Sequence, residues 1–221
     1  MIAAYMDSTN LKPDARERDI ILLCEQAALY GMKAVCINPC HLALADKILQ
    51  QSPVKICTVL GFPLGADLLA TKVYAARQAL DHGADEVDMV MNIGAVKDNN
   101  YEKIREEVEN ILFLKNEYDF LLKIIVETAL LSRQELLDIT RLLSQTDADF
   151  IKTSTGFSSR GVNMEDIKII MENKSERLKL KASGGIKTLD FALELINSGA
   201  NRIGSSSAVT LVEEYRKRGG Q

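Results

Sequence analysis

The sequence predicts an α/β protein, a closed (β/α)8 TIM barrel, on three observations. Short apolar runs alternate with helical stretches eight times along 221 residues. The runs are near-continuous in apolar residues, the pattern of parallel strands covered on both faces. The first run leads into Asp7-Ser8-Thr9-Asn10, whereas an open doubly wound sheet usually begins with a glycine-rich dinucleotide turn. Eight short-linked units in a chain of this length fit a barrel. No linker, low-complexity segment or compositional break divides them, so residues 1–221 read as one domain.

Taken in order, Tyr5-Met6-Asp7 is the first strand. A helix follows with Pro13 in its first turn, Asp14 and Glu17 early and Gly31 as its stop. Ala34 to Ile37 is the second strand, and a helix runs from about Cys40 to Gln51. Lys55 to Leu60 is the third, ending in the loop Gly61 to Gly65, before a helix from about Thr71 to His82 that stops at Gly83. Val87 to Met91 is the fourth, with a helix over about Tyr101 to Glu117. Leu121 to Glu127 is the fifth, with a helix from Ser132 to about Gln145. The sixth, Phe150 to Ser154, precedes a helix from about Asn163 to Asn173. The seventh holds Lys181, and Thr188 caps the helix after it, which ends at Gly199. Arg202 to Ser205 is the eighth, and a last helix reaches about Lys217.

Composition narrows the function. Apolar residues make up 47% and charged residues 26%, ordinary for a globular protein. A net charge of −4 and a pI near 5.4 disfavour nucleic acid, and the basic Arg216, Lys217 and Arg218 complement a helix C-terminus. No apolar run reaches the length of a membrane span, and the opening residues lack the regions of a secretory signal. Cys24, Cys36, Cys40 and Cys57 read as free thiols of a reducing cytoplasm. Cys36, Cys40 and His41 have no second half to complete a metal site, so no metal is expected.

The polar residues inside the apolar runs carry the chemistry. Lys152 lies in the middle of the sixth strand, where burial disfavours the ammonium and lowers its pKa. Lys181 holds a matching place in the seventh, and two lysines at one pocket would each lower the other's pKa. A neutral amine is a nucleophile toward carbonyls. The alternative is a pair of strand-edge lysines with solvated heads. Asp88, inside another apolar run, needs a cationic partner, and Lys181 or Lys152 would serve; otherwise it marks a solvated strand start. Asp7 belongs either to the pocket or to a capping loop. Glu127 at the end of the fifth strand reads as a supporting group. Cys36 reads as a small buried side chain near a strand end, with no histidine for thiol catalysis.

Gly184-Gly185 after the seventh strand and Gly204-Ser205-Ser206-Ser207 after the eighth look like an anion site. Phosphates in these barrels are commonly held by the loops after strands seven and eight, through bare backbone N–H groups and a helix N-terminus.

These stretches together resemble the 2-deoxyribose-5-phosphate aldolases over essentially the whole chain. The matching runs are Val35-Cys36-Ile37-Asn38-Pro39, Gly61-Phe62-Pro63-Leu64-Gly65, Gly83 to Asp88, Phe150 to Gly156 and Lys181-Ala182-Ser183-Gly184-Gly185. The resemblance implies a class I aldolase that cleaves 2-deoxy-D-ribose 5-phosphate reversibly in deoxyribose phosphate catabolism. It implies Lys152 as the Schiff-base lysine, Lys181 as the lysine that perturbs it and Asp88 as the proton-relay acid. Asp7 and Cys36 would border the pocket, Thr155 and Gly156 would contact substrate, and Gly184, Gly185, Gly204 and Ser206 would face the phosphate. The partners are then a small sugar phosphate and aldehydes, with no metal or organic cofactor, and a homodimer is the default assembly. Ser8 stands where the family usually has histidine, and Phe157 where some members have lysine. A sugar-phosphate isomerase and a catalytically silent sensor on the same fold are the rival readings.

Overall fold

A computed structural model describes residues 2–220; Met1 and Gln221, the ends of the expected domain, lie outside it. Eight parallel strands close into a barrel in sequence order, β1 pairing with β8 as well as β2. The strands are β1 Met6–Asn10, β2 Ala34–Ile37, β3 Lys55–Leu60, β4 Glu86–Val90, β5 Leu121–Ile125, β6 Phe150–Lys152, β7 Lys179–Ser183 and β8 Arg202–Ser205. Around them stand α1 Glu17–Tyr30, α2 Leu42–Leu49, α3 Leu69–Asp81, α4 Ile93–Lys97, α5 Tyr101–Leu112, α6 Arg133–Ser144, α7 Met164–Asn173, α8 Leu189–Asn197 and α9 Ala208–Lys217.

Strand periodicity sorts the side chains into two layers. Ile56, Val87, Met89, Leu122, Ile124, Ile151, Leu180 and Ile203 point outward and join the helices in one large apolar core. Each such side chain contributes about 1.5–3 kcal/mol on burial. The intervening positions point inward, and there the barrel is not apolar: Glu86, Asp88, Lys123, Lys152, Lys181 and Arg202 are all buried. The runs look continuous in sequence because the outward residues and the inward Val59, Val90, Ile125 and Phe150 hide the charges between them.

Several boundaries differ from the sequence expectation. Tyr5 closes a short 3-10 turn, Ile2–Tyr5, and β1 runs through Asp7-Ser8-Thr9-Asn10, which hydrogen-bonds to β2 all along its length. The capping-loop reading of these residues is therefore wrong. Pro13 and Asp14 precede α1, whose capping box closes from Asp19 back to the Arg16 N–H. A short helix not expected from the sequence, α4, precedes the one expected from about Tyr101; Asn92 and Asn100 cap the two starts with their side-chain oxygens, and α5 ends at Leu112, followed by a 3-10 turn, Phe113–Asn116. Glu127 lies two residues past β5 with φ 52°, a left-handed conformation that non-glycine residues rarely adopt. β8 has the expected bounds, so of Gly204-Ser205-Ser206-Ser207 only the last two residues follow the strand.

Candidate active site

A cavity of about 400 Å³ opens at the C-terminal ends of the strands, large enough for a small ligand. Lys152, Thr155 and Gly156 line it from β6 and the loop beyond. Gly184, Gly185, Gly204 and Ser206 line it from the seventh and eighth units. Phe157 lines it too, with its ring edge-on to Phe62 at 5.3 Å.

Beneath the cavity the buried charges form a closed ring. Asp7 Oδ2 lies 2.6 Å from Lys181 Nζ, and Lys181 Nζ lies 2.7 Å from Asp88 Oδ2. Asp88 Oδ1 lies 2.7 Å from Lys123 Nζ, which also sits 2.7 Å from Glu86 Oε2. Arg202 completes the ring, 2.8 Å from Glu86 Oε2 and 2.6 Å from Asp7 Oδ1. The lower side of the ring rests on Phe150, whose ring centroid lies 6.0 Å from both Lys123 Nζ and Arg202 Cζ. Lys152 hangs on this ring at one point, with Nζ 2.7 Å from Asp88 Oδ2, the oxygen that Lys181 also contacts.

Strand register explains why these groups meet. Asp88 pairs with Lys123 across β4 and β5, and Lys152 pairs with Lys181 across β6 and β7. Gly204 lets Lys181 pass: a Cβ there would stand 3.2 Å from Lys181 Cε and 3.1 Å from Ser183 Cβ. Glu127, from its strained backbone, accepts hydrogen bonds from the Thr155 N–H and hydroxyl and so fixes the loop after Lys152. The supporting role expected of Glu127 is the one its geometry describes.

Charge stabilises charge throughout the ring. Burial alone would raise the Asp88 pKa, but Lys123, Lys152 and Lys181 outweigh it and hold the carboxyl well below its usual range. Asp7 is likewise opposed by burial yet pulled down to about 2 by Lys181, Arg202 and Lys123. Burial disfavours the Lys181 ammonium, but Asp7 and Asp88 push its pKa well above the ordinary lysine value. The sequence reading that burial and a second lysine lower Lys181 is thus corrected: two carboxylates reach it first. Asp7 and Cys36, expected to border the cavity, do not line it. Asp7 is turned into the ring by Lys181 and Arg202, while Cys36 packs with Leu11, Cys57 and Val59 one layer below. Ser8 faces away from Asp7 and is buried, so the departure there lies outside the cavity.

The sequence reading missed Lys123, Glu86 and Arg202. Lys123 gives the same signal as Lys152, a lysine within an apolar run. Glu86 and Arg202 begin their strands and pass as solvated ends. Cys36 is buried in β2, whereas Cys40 is exposed on the turn Pro39–His41.

The chain is similar to known proteins over nearly its whole length. A family profile described as DeoC/LacD family aldolase matches residues 1–208. The chain is 45% identical over 217 residues to the deoxyribose-phosphate aldolase of Thermococcus gammatolerans, covering 97% of this chain and 96% of that protein. It is 44% identical over 214 residues to the deoxyribose-phosphate aldolase of Caldicellulosiruptor saccharolyticus, covering 96% and 97%. Among solved structures, the tetrameric deoxyribose phosphate aldolase of Aeropyrum pernix superposes with a TM-score of 0.91 at 31% identity, covering 98% of this chain and 92% of that one.

Proposed function

The chain belongs to the DeoC/LacD family of aldolases, and on that premise we propose that it cleaves 2-deoxy-D-ribose 5-phosphate reversibly to D-glyceraldehyde 3-phosphate and acetaldehyde through a Schiff base on Lys152. The observation that carries this reading is the Lys152 amine at the cavity wall, 2.7 Å from an Asp88 oxygen that already pairs with Lys181. That shared oxygen ties the Lys152 amine to Lys181, which Asp7 and Asp88 keep charged against its burial.

In the proposed cycle Lys152 attacks C1 of the open-chain sugar, and the carbinolamine loses water to give a protonated imine. The two-carbon product identifies the broken bond as C2–C3. A base takes the C3 hydroxyl proton, the C2–C3 electron pair moves into the imine, and D-glyceraldehyde 3-phosphate leaves. The enamine takes a proton at C2, and water hydrolyses the imine to release acetaldehyde and restore Lys152. Asp88 and Lys181 serve as the proton-carrying pair, with water between them and the substrate. The glycine and serine loops hold the phosphate and so position C1 at the amine. This chemistry requires no metal or organic cofactor. A homodimer remains the assembly we propose.

Borohydride reduction in the presence of the sugar phosphate or acetaldehyde, followed by peptide mass mapping, tests the assignment. The expected adduct is on Lys152 and is absent from Lys152→Ala. An adduct on Lys181 exchanges the two lysines' roles. A folded protein that binds the sugar phosphate and forms no adduct is the sensor instead, and the aldolase reading fails.

A further inference from the structure

Cys36 and Cys57 take no part in the proposed reaction, yet both thiols face Asp88. They are register partners on β2 and β3, and both are fully buried. Cys57 Sγ lies 3.1 Å from Asp88 Oδ1 and Cys36 Sγ 4.0 Å from Oδ2. One donor atom from each of the three residues can be chosen so that all lie within 4.8 Å of one another. We propose that Cys36, Cys57 and Asp88 form a binding site for a thiophilic divalent ion, zinc or cadmium, and that an ion held there silences the aldolase by drawing Asp88 away from Lys152 and Lys181.

The donor set suits that class of ion. Two thiolates and a carboxylate are ligands that zinc takes, and thiolate sulfur selects soft ions over magnesium or calcium. Zinc bonds of about 2.0–2.3 Å give a tetrahedron with edges of about 3.3–3.8 Å, so the donors close on an ion by shifts of about 1 Å. The three residues come from adjacent strands, β2, β3 and β4, so the backbone already presents them together.

Charge is the obvious objection, because Lys123, Lys152 and Lys181 surround Asp88. The exchange nevertheless leaves the net charge unchanged: two S–H bonds break, two metal–sulfur bonds form, and two protons leave for solvent as one divalent ion enters. Lys123, 3.4 Å from Cys57 Sγ and 2.7 Å from Asp88 Oδ1, has a second carboxylate to retain it, Glu86 at 2.7 Å. Lys152 and Lys181 share Oδ2, the oxygen nearer Cys36, so recruiting that carboxylate to a metal loosens both at once. The cavity lies next to the cluster, with Leu11 between them. Leu11 lines the cavity and also packs in the small cluster that contains Cys36 and Cys57.

The test uses full-length protein carrying Cys40→Ser, which removes the exposed thiol. Cadmium chloride is added, and equilibrium dialysis, the ultraviolet thiolate-to-cadmium charge-transfer band and aldolase activity are read on the same samples. The expected result is one ion per chain, the band, and at least a tenfold loss of activity that a chelator reverses. In the same background Cys57→Ala should lose the band, bind at least tenfold more weakly, and keep its own metal-free rate at cadmium levels that silence the parent. Unchanged binding in Cys57→Ala, no binding in the parent, or binding with no loss of rate overturns the proposal. The inhibitory half rests on the aldolase reading, whose failure shows separately as a missing borohydride adduct, whereas dialysis and the band decide the site itself.

Discussion

Six charged side chains close the floor beneath the cavity, whereas the loops of the seventh and eighth units that rim it present mainly glycine and serine. On the floor, position comes from paired charge: each of the six groups touches two opposite charges, and all are buried. On the rim, position comes from the backbone: Gly184 and Gly185 hold φ of 85° and 75°, and Gly161 lies so close to Gly184 that a Cβ on it would fall 2.0 Å from the Gly184 carbonyl oxygen. Ion pairs withdrawn from water fix the amines but tolerate no missing member. A bare backbone offers N–H groups to an anion and tolerates small changes. The two regions should therefore fail differently when altered.

The largest effect is expected at Asp88, where three lysines converge on one carboxylate. Asp88→Asn removes the carboxylate they share and leaves Lys123 with Glu86 alone and Lys181 with Asp7 alone. It should lower stability by about 3–5 kcal/mol, the scale of a broken buried pair, and lower kcat by about 10²–10⁴, the scale of a lost acid–base group. Urea unfolding and steady-state cleavage measure both. A stable, nearly wild-type enzyme would mean that the floor is not held by its ion pairs. Arg202→Met separates the two effects. It takes one of two cationic partners from Asp7 and from Glu86, leaving them Lys181 and Lys123, so a similar loss of stability is expected, with kcat falling by no more than about tenfold, since Arg202 takes no proton in the cycle. Equal losses of rate in Arg202→Met and Asp88→Asn would show the ring acting as one catalytic unit.

The same contrast governs what the sequence discloses. The lining of the rim was legible because barrels commonly build their sites from the loops after strands seven and eight, and Gly184, Gly185, Gly204 and Ser206 line the cavity there. The eight-strand order was legible from the alternation of apolar runs and helices. The floor was legible only in part. Lys152, Lys181 and Asp88 stood out against apolar neighbours, but their partners depend on which strands a closed barrel brings together and on which face each residue takes. Asp7 could be read as a capping-loop residue as readily as a pocket one, because Asp-Ser-Thr-Asn has turn chemistry. Its pairing with Arg202, 195 positions away, is a product of barrel closure between β1 and β8. The rise in the Lys181 pKa followed the same blind spot, since burial is visible in a sequence and a carboxylate from another strand is not.

Acid should loosen the floor before the rim. Asp7 is held at about 2, against burial, by Lys181, Arg202 and Lys123, while an unfolded aspartate titrates near about 3.9. Below about pH 4 the unfolded chain therefore binds a proton that the folded chain refuses, and stability falls as pH drops toward about 2. Asp7 accounts for about 2 kcal/mol of this loss, and Asp88 shifts in the same direction. Urea midpoints measured at neutral pH and near about pH 3 should show the decline, and Asp7→Asn, less stable at neutral pH, should show a shallower one. An equal slope in the variant would place the acid-sensitive group elsewhere.

The smallest change probes the rim alone. A Cβ added at Gly185 meets no heavy atom within 4 Å, so Gly185→Ala introduces no clash and costs only the left-handed backbone at φ 75°. That is about 1–2 kcal/mol, part of which the loop can relieve by turning. Turning the loop moves the N–H groups that an anion would use, and leaves Asp88, Lys152 and Lys181 in place on their strands. The expected result is a severalfold rise in KM for 2-deoxyribose 5-phosphate, with kcat nearly unchanged and KM for unphosphorylated 2-deoxyribose unaffected. Their ratio of kcat/KM is the decisive reading, because general loosening of the barrel lowers both substrates alike. A lower ratio assigns the glycine loop to the phosphate. An unchanged ratio, in a variant that has lost the expected stability, would leave the rim as a turn and move the anion site to another part of the cavity.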